Sequence, residues 1–281
     1  MTSLTSLVLL VLISYLGSLL FKKLPSENEF IKSVTFTGNL YILLGFLIGP
    51  KVLNLLNSNI LNQLNVLYAL VLGWAGFLIG LQTNIKSLKR FRKIYYGFST
   101  VNFAIAFILS SAILIFFSIV FSDEFEKLEM VILALAGAVT SPIMLGVVLR
   151  DFKSRGKLSH ILQFVSGYDN ILGVIVLGVI AATIGEEFFP RKFLNGMLFL
   201  LISIGIGLFS AALYRYLSPE LKKDQEIFLL IIGLLIFISG IAYYLKLSML
   251  FVAFVYGFGL SNFKVNTKKL YINIQNVEKP L

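Results

Sequence analysis

Long apolar blocks separated by short polar ones make up almost the whole chain. The blocks fall at about residues 4–21, 34–56, 66–84, 96–121, 129–149, 159–184, 193–214, 226–245 and 247–262. Runs of about 18 or more apolar residues with few charges have the length a helix needs to cross hydrocarbon. In lipid every backbone polar group has to be satisfied within its own segment, which favours helices over open sheet. A membrane β-barrel would carry polar residues at alternate positions. Stretches such as Ile105 to Val120 do not alternate, so a barrel is excluded. Leu4 to Phe21 has no basic leading region and no small-residue cleavage site, and reads as a true span rather than a signal peptide. The pattern predicts an all-α polytopic membrane protein with about nine transmembrane helices. Residues 1–262 form its transmembrane domain and residues 263–281 a polar tail.

Charge supplies an independent check on the number of spans. Lys and Arg gather after the odd-numbered blocks: Lys86, Lys89, Arg90, Arg92 and Lys93 after the third, and Arg150, Lys153, Arg155 and Lys157 after the fifth. The loop after the fourth is instead acidic, with Asp123, Glu124, Glu126 and Glu129 against Lys127. Basic loops stay in the cytoplasm. The expected protein therefore sits in the cell membrane with its N-terminus outside and its C-terminal tail cytoplasmic. This arrangement also accounts for the net charge of +10. The basic loops carry no recognition motif, so nucleic acid is not expected as a partner. The chain has no cysteine and one histidine, which excludes disulfides and thiolate metal sites. His160 follows a basic loop and reads as a loop residue. No metal and no cofactor is expected.

Few side chains inside the spans could do chemistry. Asp169 stands ten positions into the sixth block, about 15 Å along a helix at 1.5 Å per residue. A carboxylate near the bilayer midplane is costly and marks a functional site by default. Desolvation disfavours its charged form, which lets it trade a proton for a cation. Asn170 follows, with an amide oxygen able to ligate a hard cation. Tyr168 and Gln163 read as packing or interhelical hydrogen bonds. In the fifth block, Thr140-Ser141-Pro142 should interrupt the helix, because proline lacks an N–H and clashes with the preceding turn. A broken helix at the midplane offers half-helix ends and bare carbonyls to an ion. The glycines of Gly45 to Pro50 and Gly73 to Gly80 allow close helix approach. Asn39 and Asn102 are isolated polar residues, suited equally to a pathway and to interhelical bonding. No nucleotide motif is present, and Asp169 has no His or second carboxylate near it in sequence, so a hydrolytic enzyme is not expected.

Taken together these segments resemble the sodium/hydrogen exchanger family of monovalent cation:proton antiporters. The resemblance rests on Leu43 to Pro50, Leu72 to Leu81 with its basic continuation, Thr140-Ser141-Pro142, Tyr168 to Gly173, and Leu245 to Asn262. It implies an inverted-repeat antiporter fold with a broken crossover helix. A core domain would move against a dimerisation domain, hence a homodimer. The implied substrates are Na⁺ or K⁺ and H⁺, bound alternately at Asp169 with Asn170, Thr140, Ser141 and Pro142 around it. Two departures stand out. The family's paired residues usually end in Asp, whereas the order here is Asp169-Asn170. The sequence also lacks the family's last few helices, including the second broken one. The expectation is thus a partial fold, with a partner chain as one source of the missing helices. A truncated or split non-transporting fragment, and an organic-anion symporter on a related fold, are the competing readings.

Overall fold

The computed structural model describes residues 11–15, 17, 19, 39–50, 52–56, 58–121, 127–142, 145, 148–149, 153–154, 156–184, 192–220 and 224–263. Ten α-helices are delimited: α1 (Asn39–Ile48), α2 (Ser58–Gln63), α3 (Asn65–Gln82), α4 (Ile85–Leu88), α5 (Lys93–Phe121), α6 (Lys127–Ala138), α7 (Lys157–Ile184), α8 (Lys192–Leu217), α9 (Asp224–Tyr244) and α10 (Met249–Asn262). Five of them, α3, α5, α7, α8 and α9, are long and apolar enough to cross a bilayer, and α6 and α10 are shorter apolar helices. No strand occurs among the described residues. The all-helical, polytopic reading of the sequence therefore stands.

Most of the hydropathy blocks correspond to helices to within a few residues, and the departures have local causes. The block at 34–56 is not one helix. α1 stops at Ile48, before Gly49-Pro50, and the chain turns, with Asn54 at φ 50°. Proline cannot donate to the preceding turn, so the helix ends there although the residues beyond stay apolar. The block at 129–149 is divided where Thr140-Ser141-Pro142 was expected to interrupt it. α6 ends at Ala138, residues 139–141 are not helical, and helical backbone resumes at Pro142. His160 is not in a loop. It is an exposed residue in the first turn of α7, because helical backbone already starts at Lys157. The polar tail beyond Phe263, and the side chain of Asn39, lie outside the described residues.

The chain divides into two compact units: residues 1–68 with 142–159, and residues 69–141 with 160–281. In the first, Ile48, Leu56, Ile60 and Leu64 form a small apolar cluster. The second is organised around α10. Val252, Tyr256 and Leu260 of this helix are 0% exposed. A helix apolar on every face belongs inside a bundle, and α10 is packed by α3, α8 and α9. Its start is well specified. Lys246, at φ 54°, closes α9 with a Leu247 N–H bond to the Ala242 carbonyl (2.8 Å) and a Lys246 N–H bond to the Tyr243 carbonyl (3.1 Å). This is a left-handed C-cap with lysine where glycine is usual. Ser248 then caps α10 by accepting from the Phe251 N–H at 3.3 Å.

α3 and α10 run parallel and touch backbone to backbone. A Cβ at Gly76 would strike the Leu250 carbonyl, one at Gly80 the Phe254 carbonyl, and one at Gly257 the Phe77 carbonyl. The last two contacts are reciprocal. Phe77 and Gly80 meet Gly257 and Phe254 as if related by a local two-fold axis along the helices. At the C-terminal ends the relation continues: Asn84 Nδ2 donates to the Ser261 carbonyl (2.8 Å) and Asn262 Nδ2 to the Thr83 carbonyl (3.1 Å). Asn262 Oδ1 also accepts from the Ile85 N–H at 3.0 Å. Gly73 serves a third helix, since a Cβ there would meet the Ser239 hydroxyl of α9. Gly45, expected to mediate packing, instead has open space around it among the described residues.

Candidate functional site

Three segments of the second unit meet at Asp169. α5 contributes Ser99 and Asn102, three residues apart and so on one helical face. α7 contributes Ser166, Asp169 and Asn170, which share a face for the same reason. The third is the non-helical stretch that follows α6 and carries Thr140. Apolar contacts hold these segments in place. Phe103 of α5, Leu135 and Ala138 of α6, and Leu172 and Val176 of α7 form one cluster directly beside the polar group. Gly173 allows the approach, since a Cβ there would lie 2.6 Å from the Val139 side chain.

Asp169 is 0% exposed. Ser99 Oγ donates to its Oδ1 at 2.7 Å, and Thr140 Oγ1 donates to its Oδ2 at 3.2 Å. Ser99, itself 0% exposed, also lies 3.5 Å from the Val165 carbonyl. A hydroxyl has one proton, so the shorter contact to the carboxylate takes it. The Asn102 side chain approaches the same carboxylate. Among the described residues, the partners of Asp169 are hydroxyls and an amide, with no basic side chain. Hydroxyls donate to a carboxylate and, once rotated, accept from a carboxylic acid. The same surroundings can therefore serve the protonated and the ionised side chain.

The interrupted helix is tied to α7 through one carbonyl. Thr140 O accepts from Ser166 Oγ at 3.2 Å and from Asn170 Nδ2 at 2.7 Å. Asn170 Nδ2 also donates to the Ser166 carbonyl at 2.7 Å. Both neighbours of that amide are carbonyl oxygens, so its nitrogen has to face them. Asn170 thus fixes the break, and its Oδ1 points elsewhere as an acceptor. Non-helical backbone at membrane depth leaves carbonyls that need such partners. Thr140 and Ser141 are exposed, whereas Asp169 is fully buried.

Of the five residues expected at the site, the structure brings Thr140, Asp169 and Asn170 into direct contact. Ser141 adjoins them in the chain. Pro142 belongs to the first unit, and its role is local: it takes the first helical position after the break, where a missing N–H costs nothing. The Tyr168 ring packs on Phe164 and Tyr96, as expected of a packing residue, and Gln163 is exposed. Asn102, on α5, meets Asp169 of α7, a contact that fits either of its two possibilities. Ser99 and Ser166, both essentially buried and both bonded into the site, were not singled out by the sequence. Comparison with curated proteins and with solved structures gives no match. The transmembrane family model described as sodium/hydrogen exchanger matches residues 8–278, nearly the full length of the sequence. The chain belongs to the sodium/hydrogen exchanger family.

Proposed function

We propose that this protein exchanges a monovalent cation, Na⁺ or K⁺, for protons, with Asp169 as the group that both ligands occupy in turn. The observation that carries this reading is a fully buried carboxylate whose two oxygens are met by hydroxyls beside a helix break. Family membership supports cation:proton exchange in general. A desolvated carboxylate with no basic partner among the described residues is neutral when protonated and needs a cation when ionised. Proton and metal ion therefore exclude one another, and a high proton concentration on one side displaces the cation. Ser99 and Thr140 hydroxyls, rotating between donor and acceptor, hold the side chain in either state. Asn170 acts by holding the broken segment against α7 so that Thr140 reaches Oδ2. The basic loops after α3 and before α7 support a cytoplasmic face there, with the N-terminus outside.

The test is Asp169→Asn in everted vesicles, read with a pH-sensitive dye. Cation addition should produce no dequenching, although the variant inserts and migrates on gel filtration like the parent. Dequenching of parental size in the variant would defeat the mechanism.

A further inference from the structure

A chain of four aromatic rings runs from the basic loop to the residue before the carboxylate. Phe91 stands in the middle of the basic run Lys89-Arg90-Phe91-Arg92-Lys93, and its ring centre sits 4.2 Å from that of Phe164 of α7. Phe164 stacks on Tyr168, with ring centres 5.8 Å apart and planes 11° from parallel. Tyr96 of α5 stands edge-on to both, at 5.0 Å and 79° from Phe164 and at 5.2 Å and 89° from Tyr168. These edge-to-face and stacked arrangements are favourable ones. The order along the two helices is what gives the cluster a functional meaning. α5 and α7 both begin beside basic residues, and on each the rings precede the polar groups. Tyr96 comes one turn before Ser99, and Phe164 and Tyr168 come before Asp169. Phe164 is 5% exposed, enclosed by the rings around it.

We infer that Tyr96, Phe164 and Tyr168 form an aromatic barrier that controls access of water and cations to Asp169 from the basic-loop side. This inference rests on the exchange reading for its purpose, though not for its test. Ions crossing this layer would leave bulk water before meeting the carboxylate. Ring faces and the two phenol hydroxyls offer partial replacement for the lost hydration. A barrier of this kind keeps the carboxylate from equilibrating with both sides at once, which coupled exchange requires.

The chain has no cysteine, so a single thiol can report on access. Ser99→Cys places one beside Asp169. Its labelling by a membrane-impermeant thiol reagent is measured in right-side-out and in everted vesicles. With the rings intact, labelling from the basic-loop side should be slow. Adding Phe164→Ala or, separately, Tyr96→Leu should raise that rate severalfold and leave the rate from the opposite side unchanged. Adding Phe164→Trp or Tyr168→Phe, which keep a ring, should not raise it. Fast labelling with all rings present overturns the inference. Equal rates in ring-keeping and ring-removing variants, or acceleration from both sides, would do the same. Reagent access is measured without transport, so this outcome is separate from that of Asp169→Asn.

Discussion

Gly80 offers the sharpest test of how the bundle is held together. In Gly80→Ala the new methyl would meet the Phe254 carbonyl and the Phe258 N–H group, both backbone atoms of α10. No rotamer change can relieve that clash, so α3 and α10 have to separate. Overpacking of this kind costs about 1–3 kcal/mol. Separation also strains the three bonds that join Asn84, Ile85 and Asn262 across the helix ends. Interhelical hydrogen bonds in membranes average about 0.6 kcal/mol, which puts about 2 kcal/mol at risk. Against this, alanine is a better helix former than glycine by about 1 kcal/mol. The net expectation is a loss of about 2–4 kcal/mol. Gly205→Ala and Gly233→Ala are the controls. Their added methyls meet nothing within 4 Å, so the helix propensity gain should appear undiminished. Reversible unfolding in mixed micelles, followed by circular dichroism, measures all three. The reciprocal contact makes a second demand. Gly80→Ala and Gly257→Ala together should cost clearly less than their sum, because one separation relieves both clashes. Gly80→Ala as stable as Gly205→Ala, or additive losses in the double variant, would refute the backbone contact.

Three further outcomes follow from the site and the core. Thr140→Val removes the hydroxyl on Asp169 Oδ2 and keeps the carbonyl that Ser166 and Asn170 hold. The protein should fold normally, with a several-fold higher KM for cation in the dequenching assay; an unchanged KM would remove Thr140 from the binding group. Asn170→Asp sets an acceptor against the Thr140 and Ser166 carbonyls where the amide nitrogen now donates. Backbone amides around residues 139–141 should then exchange hydrogen faster than in Asn170→Ala, since acceptors set against one another repel where the amide now bonds. Tyr256 is 0% exposed, and its hydroxyl has no hydrogen-bond partner among the described residues. Tyr256→Phe should therefore be neutral or stabilising by about 1 kcal/mol in the same unfolding assay, and a loss larger than that would reveal a partner.

The helices were legible because lipid imposes a length and an unbroken apolar character on each one, and both are properties of a single segment. Hydropathy averages over Gly49-Pro50 and over Thr140-Ser141-Pro142, and a backbone interruption leaves that average high. At Thr140-Ser141-Pro142 the proline itself predicted the break, and the helix is interrupted there. At Gly49-Pro50 the same chemistry was present and was read as packing.

The site was legible to the extent that its members are improbable in lipid. A carboxylate inside a span draws attention by its cost alone, and so does an asparagine, which is how Asp169, Asn170 and Asn102 could be named from the sequence. Serine and threonine carry no such signal, because within one helix they can satisfy themselves. Ser111 bonds the Phe107 carbonyl at 2.8 Å, Ser203 the Phe199 carbonyl at 2.7 Å, and Thr100 the Tyr96 carbonyl at 2.9 Å, each four residues back. Ser99 is chemically identical to these and differs only in what stands opposite it, on a helix 70 residues further along the chain. Its contribution is a product of tertiary packing, fixed by Phe103 and Leu135 filling the space beneath and by Gly173 letting α7 come close. The one sequence clue was the three-residue step from Ser99 to Asn102, which puts two polar side chains on one face of a largely apolar helix. That clue gains force only when a buried charge needs donors, and Asp169 supplies that need. In a membrane protein the improbable residue can thus be read first, and the commonplace hydroxyls that serve it are then sought on the polar faces of the neighbouring spans.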